Sequence, residues 1–346
     1  MIEFHNYHLT VLISIIISLI IFYIFNRNQL LLDKVIYSDH KQLLDKNIKF
    51  KPILCGGVII YSCSIFFFRD LFLLNLFAGM LLIVGILSDS NKISSPKLRI
   101  FFQIIIVLFF SVFLDVKIDS IGIYFFDIFL RINIISIVFT VFCILILLNG
   151  SNFLDGLNTL LLGYYILVCS FLIFISDKNN LIIDENINLL LIFLIIVFLY
   201  NFTGKVFLGD SGSYLVSFYL AFFTIDFSLK NDSVSPFLIC LFLWYPAFEN
   251  LFSIIRRISK KKKVHNADQN HLHQLIYKSV SKLKILNIKH LNTSTAIIIN
   301  FYNFVIFLLF CNYYSNTKIL ILSILLNSFI YLILYFSLEK KINQSK

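Results

Sequence analysis

Two short stretches of the sequence concentrate glycine, amide and carboxylate side chains. The first is Asn149-Gly-Ser-Asn-Phe-Leu-Asp-Gly-Leu-Asn158, and the second is Gly209-Asp-Ser-Gly-Ser213. Carboxylate and amide oxygens are the ligands that Mg²⁺ prefers, and this ion usually keeps water and substrate phosphates in its coordination shell. The second stretch is also typical of a helix start, where a carboxylate and free N–H groups can hold phosphate. Both stretches indicate phosphate chemistry, with a polar helix end as the alternative for each.

Other polar side chains would complete such a site. Asp89 adds an oxygen donor, and the side chains that could neutralise phosphates are Lys97, Lys205, Arg256, His271 and His273. This combination suits phosphoryl transfer between two phosphate-bearing substrates, in which positioning and charge neutralisation dominate. The sequence has no Walker A, G-x-G-x-x-G or H-E-x-x-H pattern, which argues against an ATPase, a dinucleotide enzyme or a zinc protease.

Several of these residues also have a purely structural interpretation. Gly56-Gly57 could simply allow close helix packing, and Asp89 could be a solvated acid at a helix end. Asn158 lies six residues beyond Asn152, so it joins the same site only if the helix breaks at Asp155-Gly156. His271 and His273, spaced as H-x-H, are by themselves weak evidence for a metal site.

The composition identifies the kind of protein that must position these residues. Of the 346 residues, 59% are hydrophobic and 14% are charged, whereas soluble proteins average about 45–50% apolar and about 25% charged residues. These values exclude a soluble domain, a disulfide scaffold, a disordered chain and a coiled coil, and they predict an all-α polytopic membrane protein. The six cysteines are scattered, mostly within apolar runs, and are interpreted as free thiols.

Eleven apolar runs are long enough to cross a bilayer core about 30 Å thick, which needs roughly 17–25 helical residues. The runs are 9–25, 53–68, 71–88, 99–115, 134–149, 157–176, 187–202, 211–228, 235–254, 294–313 and 318–337. The segment 116–133 carries four charged residues, and we expect it to be a short outer hairpin at the membrane face.

The charges of the loops predict the orientation. With eleven spans, 23 of the 29 Lys and Arg residues fall on one side and six on the other. The positive-inside rule makes the side with 23 cytoplasmic, so the N-terminus is outside and the C-terminus cytoplasmic. The polar stretches described above all lie on the cytoplasmic side. The net charge of +10 is therefore mainly an orientation signal rather than a signature of nucleic-acid binding.

Five motifs, in order within residues 33–290, resemble those of the polyprenyl-phosphate N-acetylhexosamine-1-phosphate transferases. This superfamily includes the initiators of O-antigen and teichoic-acid synthesis and the peptidoglycan translocase. The motifs are Pro52-x-x-x-Gly56-Gly57, Asn149-x-x-Asn152-x-x-Asp155-Gly-x-Asn158, Phe207-Leu-Gly-Asp-Ser-Gly-Ser213, Pro246-x-x-Glu249 followed by Arg256-Arg257, and Asp268-Gln-Asn-His-Leu-His273. Eleven spans with an outside N-terminus also fit the family.

The resemblance implies a reaction and its participants. A UDP-activated amino sugar would donate its sugar 1-phosphate to undecaprenyl phosphate and release UMP, with Mg²⁺, or alternatively Mn²⁺, as the cofactor. The product would initiate a cell-envelope glycan such as O-antigen, capsule or teichoic acid. The site would face the cytoplasm in the bacterial inner membrane, with lipid around the chain. No nucleic acid is expected as a partner, and a homodimer is compatible with the sequence.

The resemblance also implies roles for individual residues. Asp210 and Asn158 would hold the metal ion, and Asp89 and Asp210 would be catalytic. The candidates for substrate binding are Lys97, Asn149, Asn152, Asp155, Lys205, His271 and His273. The cytoplasmic loop 255–293 would form the sugar-nucleotide-binding subregion of a single transferase domain, 1–346.

The sequence departs from the family at several positions. The family has two adjacent Asp residues after the third span, where this chain reads Gly85-Ile-Leu-Ser-Asp-Ser90. Counting forward from Gly85, Ser88 replaces the first acid. Counting back from Lys97, Ser90 replaces the second, and the sequence leaves both registers open. A phosphate with a second pKa near 6 is mostly ionised at pH 7, so it needs little help from a base. The other departures are Glu249 for Asp, Asn158 where many relatives have Asp, and a loop 33–52 that keeps only Asp33, His40 and Pro52.

Two other functions compete with the transferase. A transporter or lipid flippase is expected to place polar residues near the bilayer midplane, often in paired broken helices. A periplasmic glycan polymerase or ligase needs its site outside, on a large loop. This sequence places most of its polar residues at one membrane face and has short outer loops and no internal repeat. The transferase is therefore the leading hypothesis.

Overall fold

The computed structural model describes residues 7–32, 52–260, 270–282 and 288–344 of the chain. The α-helices in these ranges are α1 (Tyr7–Arg27), α2 (Gly56–Phe67), α3 (Phe72–Asp89), α4 (Pro96–Phe113), α5 (Tyr124–Leu130), α6 (Asn133–Leu154), α7 (Leu160–Asn179), α8 (Asn186–Phe202), α9 (Gly209–Lys230), α10 (Pro236–Phe242), α11 (Trp244–Ser259), α12 (Leu272–Lys282), α13 (Ile288–Phe310) and α14 (Thr317–Gln344). Asp33, His40 and Asp268 lie outside the described residues. Residues 261–269 and 283–287 of the loop 255–293 also lie outside the described residues. The role of this loop as a subregion of one domain therefore stays a prediction.

All eleven predicted apolar runs are helical. Eight of the described helices are long and apolar enough to cross a membrane, namely α1, α3, α4, α6, α7, α9, α13 and α14. The shorter apolar helices α2 and α8 have 12 and 17 residues. The run 235–254 is a pair of helices, α10 and α11, bent by 73°. The all-helical class is confirmed and a multi-pass membrane protein is supported, while the count of eleven spans and their orientation stay predictions.

The bent pair α10–α11 runs beside α14 from end to end. At the start of the pair, the Ser235 N–H donates to the Tyr314 carbonyl (2.8 Å), and the Ser235 hydroxyl shares a hydrogen bond with Thr317 (2.8 Å). At its end, Lys260 forms an ion pair with Glu339 (2.5 Å). Since α14 is long enough to cross a membrane, contacts at both of its ends agree with the prediction that 235–254 makes one crossing, and this count stays a prediction.

The segment 116–133, which the sequence predicts as a short outer hairpin, contains the seven-residue helix α5, and its place outside the membrane stays a prediction. The Asp127 carboxylate accepts hydrogen bonds from the Ser120 hydroxyl (3.0 Å) and the Ile121 N–H (2.8 Å) and so fixes the chain that enters this helix. Tyr124 and Phe125 of α5 are largely exposed. Aromatic side chains favour the boundary between lipid and water, which is where a short helix between two spans would lie.

Helix α9 is the central helix of the molecule. It is buried along most of its length and packs against α2, α3, α6 and α10. Its hydroxyl-bearing residues Ser213, Ser217 and Thr224 are fully buried because they face other helices rather than lipid. Ser217 and Thr224 donate to carbonyls of their own helix, so their hydroxyls are satisfied. Small side chains of this kind let neighbouring helices approach closely.

The starts of α2 and α9 lie together at one end of the helix bundle. Their preceding segments are held by backbone hydrogen bonds: Ile53 N–H to the Lys205 carbonyl (3.2 Å), Phe207 N–H to the Ile53 carbonyl (2.9 Å), and Gly56 N–H to the Phe207 carbonyl (3.1 Å). These contacts bring the Pro-Gly-Gly segment next to the segment that leads into Gly209. The end of the bundle defined in this way is called the site face below.

Candidate functional site

The first turn of α9 is in very close contact with α2 and α3. A Cβ atom added to Gly57 would lie 2.6 Å from the Cα of Gly212, and one added to Gly85 would lie 2.2 Å from the Cα of Ser211. Such distances are too short for any side chain, so glycine is required at both positions. The structural interpretation of the Gly56-Gly57 pair is therefore supported. Its packing has a functional consequence, because it brings the end of α3 against the start of α9.

Two carboxylates accept hydrogen bonds from the first N–H groups of α9. Asp89 accepts from the backbone N–H of Asp210 (2.9 Å) and of Ser211 (3.1 Å), one on each oxygen, and Asp155 accepts from the N–H of Gly209 (3.0 Å). Anionic groups are favoured at a helix N-terminus, and here they come from neighbouring helices rather than from α9 itself. The prediction that these N–H groups are free to hold phosphate is wrong, because Asp89 and Asp155 occupy them.

The Asp210 carboxylate lies beside this cap and forms an ion pair. Its Oδ2 accepts from Arg99 Nη1 (2.6 Å) and from the Ser88 hydroxyl (2.5 Å), and Arg99 also donates to the Ser88 hydroxyl (2.9 Å). The side chains of Arg99 and Asp210 are 23% and 21% exposed, so the pair lies at the edge of the protein interior. Among the described residues, both side chains that donate hydrogen bonds to Asp210 donate to Oδ2. Oδ1 is therefore the carboxylate oxygen that is available to a ligand.

The geometry favours one of the two registers for the acidic pair of the family. Ser88 contacts Asp210 and Asp89 caps α9, whereas Ser90 is exposed and its hydroxyl donates to the Leu87 carbonyl. Positions 88 and 89 therefore both face the site. Counting from Gly85 is the register that fits, and serine stands where the family has its first acid.

Arg99 is a site residue that we did not predict from the sequence. Lys97, the predicted phosphate-binding residue of the same helix, is exposed, whereas Arg99 reaches Asp210. A signal was present, since Gln103 lies one turn beyond Arg99 and is a polar residue within an apolar run. Gln103 is fully buried, so Arg99 lies on the buried face of α4.

The amides at the end of α6 join this helix to α4 and α9. Asn149 donates to the Gln103 side-chain oxygen (3.0 Å), and Asn152 accepts from the Ser213 hydroxyl (3.3 Å). Asn152 also donates to the Tyr214 hydroxyl (3.5 Å). These amides therefore hold three helices together beside Asp210.

Asn158 and Lys205 contact other parts of the structure. Helix α6 ends at Leu154, so the predicted break is present, but the Asn158 N–H donates to Asn292 on α13 (2.7 Å). A Cβ atom on Gly204 would lie 3.7 Å from the Asn158 amide nitrogen. Lys205 is exposed. Within the described residues no hydrogen bond joins Asn158 to Asp210, and its role as a second metal ligand stays a prediction.

A second cluster of polar residues is buried next to the end of α6. Glu249 of α11 pairs with His271 Nδ1 (2.9 Å) and accepts a hydrogen bond from the Tyr331 hydroxyl of α14 (2.8 Å). The His271 ring packs against Phe153, with 4.8 Å between ring centroids, and against His273, with 5.6 Å. His271 and Tyr331 thus each contact one of the two Glu249 carboxylate oxygens.

His273 is fully buried, and both its ring nitrogens lack hydrogen-bond partners among the described residues. Burial lowers its pKa to about 3, with Glu249 opposing the fall and His271 adding to it. A Cβ atom on Gly156 would lie 2.9 Å from His273 Nε2, which explains a glycine after Asp155. The segment from Asn149 to Gly156 therefore connects the Asp210 cluster to the histidine cluster.

The residues present fit a divalent cation held mainly by its substrates. No group of three or more His, Cys, Asp or Glu side chains in the described ranges is arranged to hold a metal ion. Mg²⁺, however, is usually bound through one or two carboxylates together with water and phosphate oxygens. Asp210, half-buried and with Oδ1 available, has the chemistry of such a ligand.

Comparison with known proteins identifies relatives of the chain. Residues 71–228 match the family described as glycosyl transferase family 4. This region extends from the start of α3 into α9, so it contains Ser88, Asp89, Arg99 and Asp210, but not the histidine cluster. The match therefore covers the elements that build the Asp210 cluster.

Three curated relatives agree with this match. The chain is 28% identical over 236 residues to an undecaprenyl-phosphate alpha-N-acetylglucosaminyl 1-phosphate transferase of Thermotoga maritima (67% of this chain, 70% of the relative). It is 24% identical over 199 residues to a probable undecaprenyl-phosphate N-acetylglucosaminyl 1-phosphate transferase of Bacillus subtilis (57% and 55%). It is 24% identical over 240 residues to the enzyme of the first kind from Salmonella typhi (65% and 65%). The chain thus spans between about half and 70% of these relatives, and the resemblance predicted from its motifs is confirmed.

Proposed function

We propose that this chain, a relative of the undecaprenyl-phosphate N-acetylglucosaminyl 1-phosphate transferases, transfers an N-acetylated amino-sugar 1-phosphate from a UDP-sugar to undecaprenyl phosphate. The observation that carries the proposal is the Asp210 cluster, where an acid, an arginine and the end of α6 meet at one end of a bundle of apolar helices. A lipid phosphate anchored in the membrane and a water-soluble nucleotide can meet only at such an end.

The proposed step exchanges one phosphoanhydride bond for another. An oxygen of undecaprenyl phosphate attacks the phosphorus that carries the sugar, and the bond from that phosphorus to the UMP oxygen breaks. UMP leaves with the electron pair, so no proton has to be moved for the reaction to balance. A phosphate monoester is mostly ionised at pH 7, and the chain therefore needs no general base. Its tasks are to position two anions and to neutralise their repulsion.

The side chains of the site can be assigned to these tasks. Bound Mg²⁺ would supply neutralisation of the phosphate oxygens, and Asp210 is its proposed ligand. Asp89 supports Asp210 by fixing the start of α9 rather than by removing a proton. We assign the nucleotide and the sugar to the region between Asn152 and His273, because the end of α6 joins the two clusters there.

The proposed location is the bacterial inner membrane, with the site face in the cytoplasm. The excess of Lys and Arg in the loops of that face supports this orientation. The product would be the first lipid-linked sugar of a cell-envelope glycan. The Asp210 cluster favours a transferase over a transporter, since Asp89, Asp155 and Asp210 lie at helix ends rather than midway along the spans.

The test is a reconstitution with the full chain purified in detergent. Undecaprenyl phosphate would be supplied with each of a panel of UDP-amino sugars, with Mg²⁺ or with EDTA. UMP would be quantified, and the lipid would be identified by mass spectrometry. We expect equal amounts of UMP and lipid diphospho-sugar with at least one donor, and at least a 100-fold loss of rate in Asp210→Asn.

Two controls make the reconstitution decisive. The thermal midpoint of Asp210→Asn shows whether the variant is folded, and omission of the lipid phosphate reports donor hydrolysis. A folded wild-type chain that forms no lipid product from any UDP-amino sugar contradicts the proposed function. Transfer of a lipid-linked sugar across vesicles without release of UMP would favour the transporter instead.

A further inference from the structure

Helix α14 reaches the histidine cluster although it contains none of the motif residues. The hydroxyl of Tyr331 donates to Glu249 Oε2 (2.8 Å), and Tyr331 is only 1% exposed. This tyrosine also lies beyond the family match, which ends at residue 228. The last described helix is therefore a direct neighbour of the cluster, which neither the motifs nor the match indicates.

Tyr331 fixes the orientation of the Glu249 carboxylate. Glu249 is buried, and a buried carboxylate is unfavourable unless its oxygens accept hydrogen bonds. Its Oε1 accepts from His271 Nδ1 (2.9 Å) and from the Leu272 N–H (3.4 Å). Among the described residues, Tyr331 is the donor to Oε2. Because the carboxylate is planar, the bond at Oε2 also determines the direction in which Oε1 faces His271.

The carboxylate in turn orients the His271 ring. While Nδ1 contacts Glu249, the ring packs against Phe153, with 4.8 Å between centroids, and lies within 10° of parallel to the His273 ring. No described residue forms a hydrogen bond with the other ring nitrogen, Nε2. A ring held in this way presents Nε2 in one direction, as a side chain that meets a substrate must do.

A second tyrosine of α14 supports the same segment. Tyr335 lies one turn after Tyr331, and its hydroxyl accepts from Arg256 Nη1 (2.5 Å). The same Nη1 atom donates to the Asn270 carbonyl (2.5 Å). The Phe252 ring packs edge-on against both tyrosine rings, with 5.4 and 4.8 Å between centroids. Helix α14 therefore supports Asn270 as well as the histidine that follows it.

We propose that Tyr331 is a positioning residue that acts on the UDP-sugar through Glu249 and His271. Tyr331 does not touch the substrate itself; it holds the carboxylate that holds the imidazole. The inference rests on the proposed function, which places the nucleotide and the sugar between Asn152 and His273. It makes the last described helix a part of the site that handles the sugar nucleotide.

The experiment removes the Tyr331 hydroxyl and compares the result with a matched control. Tyr331→Phe deletes one oxygen atom and keeps the ring. Tyr302→Phe is the control, because its hydroxyl donates to Asn327 of the same helix (2.5 Å), one turn before Tyr331 and outside the histidine cluster. Each full-length variant would be purified in detergent, and its thermal midpoint recorded. UMP release would give kcat and the KM of each substrate.

The two substrates should respond differently. We expect Tyr331→Phe to lower kcat/KM for the UDP-sugar about 10-fold, because a hydrogen bond to a charged group is lost. The KM of undecaprenyl phosphate should stay unchanged, since only the sugar nucleotide meets His271. Tyr302→Phe should keep both values of the wild type. Wild-type kinetics in Tyr331→Phe, with or without a lower thermal midpoint, would overturn the inference, and so would a Tyr331→Phe protein that does not fold.

A double-mutant cycle with His271→Gln separates positioning from a general structural role. If Tyr331 acts through His271, adding Tyr331→Phe to His271→Gln should change kcat/KM less than about twofold, because the interaction is already lost. If the two single effects multiply instead, Tyr331 does not act through His271. Where His271→Gln turns over too slowly to measure, the cycle is read from equilibrium affinities for the UDP-sugar.

Failure of the proposed function would give a different pattern. The donor in these measurements is the UDP-amino sugar that gives most product in the reconstitution, or UDP-N-acetylglucosamine where none gives product. A wild-type chain that binds this donor but transfers nothing contradicts the proposed function, while the cycle of affinities still tests Tyr331. A wild-type chain that binds none of the UDP-amino sugars contradicts both proposals.

Discussion

At the scale of single residues, His273 makes the stability of the chain depend on pH. Burial lowers its pKa from 6.5 to about 3, so between these values the unfolded chain binds a proton that the folded chain does not. Above pH 6.5 His273 is neutral in both the folded and the unfolded chain and does not weaken the fold. As the pH falls from 6.5 towards 3, protonation of His273 in the unfolded chain lowers the free energy of unfolding. We expect a loss of about 2 kcal/mol at pH 5 relative to pH 7.5, measured as a fall in the thermal midpoint in detergent.

The substitution His273→Gln should remove this part of the pH dependence, because glutamine does not titrate. His8→Gln is the matched control, since His8 is exposed on α1 and its removal should leave the profile of the wild type. A His273→Gln protein that keeps the full pH dependence would show that other groups cause it.

The three acids of the site show which of its features residue types and spacing predict and which they do not. Their spacing and chemistry predicted that Asp89, Asp155 and Asp210 share one region, and the structure brings all three to the start of α9. The partners were not predictable, because the cap by Asp89 and the ion pair of Arg99 depend on how α3, α4 and α9 pack. The resemblance implies Lys97 as a substrate-binding residue of α4, whereas Arg99 of the same helix is the residue that contacts Asp210.

At the scale of elements, the glycines of α2 and α3 control the position of α9. In Gly85→Ala the new Cβ would lie 2.2 Å from the Ser211 backbone, so the two helices must separate. We expect a destabilisation of about 1–3 kcal/mol and a fall in UMP release, since the hydrogen bonds from Asp210 and Ser211 to Asp89 would lengthen. Ile83→Ala, on the exposed side of the same helix, should leave both the thermal midpoint and the rate nearly unchanged. Wild-type activity in Gly85→Ala would mean that the close contact is dispensable.

Elements differ in how much of them the sequence reveals. The spans were predictable because a continuous apolar run has few alternatives to a membrane helix. The 73° bend between α10 and α11 was not predicted, although Pro246 carries its signal. Proline has no N–H to donate to the carbonyl four residues back, that of Phe242 at the end of α10, which accepts instead from the Tyr164 hydroxyl (2.8 Å). Helix α5 was also missed, since seven residues are too few for a periodic pattern and Asp127 fixes the segment through local hydrogen bonds.

At the scale of the whole molecule, the helices that build the site place their site ends on one face. The ends of α3 and α6 and the starts of α4 and α9 meet there, as an alternating path through a membrane requires. The loop charges predict that this face is cytoplasmic.

The topology can be tested with two exposed residues, Lys92 and Ser233. The predicted membrane spans between them are the five helices α4, α6, α7, α8 and α9. These five crossings put the two residues on opposite sides, provided that the 17-residue α8 crosses and the seven-residue α5 does not.

Single-cysteine variants in a background without the six natural cysteines would test this topology. With a membrane-impermeant maleimide on spheroplasts, we expect Ser233→Cys to be labelled and Lys92→Cys to be labelled only after lysis. Asn28→Cys, just beyond α1, should behave like Lys92→Cys, because two crossings, α2 and α3, separate the two positions and return the chain to the site face. Labelling of positions 92 and 233 from the same side would mean that α8 does not cross or that α5 does. Labelling reversed between them would put the site face outside, away from cytoplasmic nucleotide, and would contradict the proposed reaction through its geometry alone.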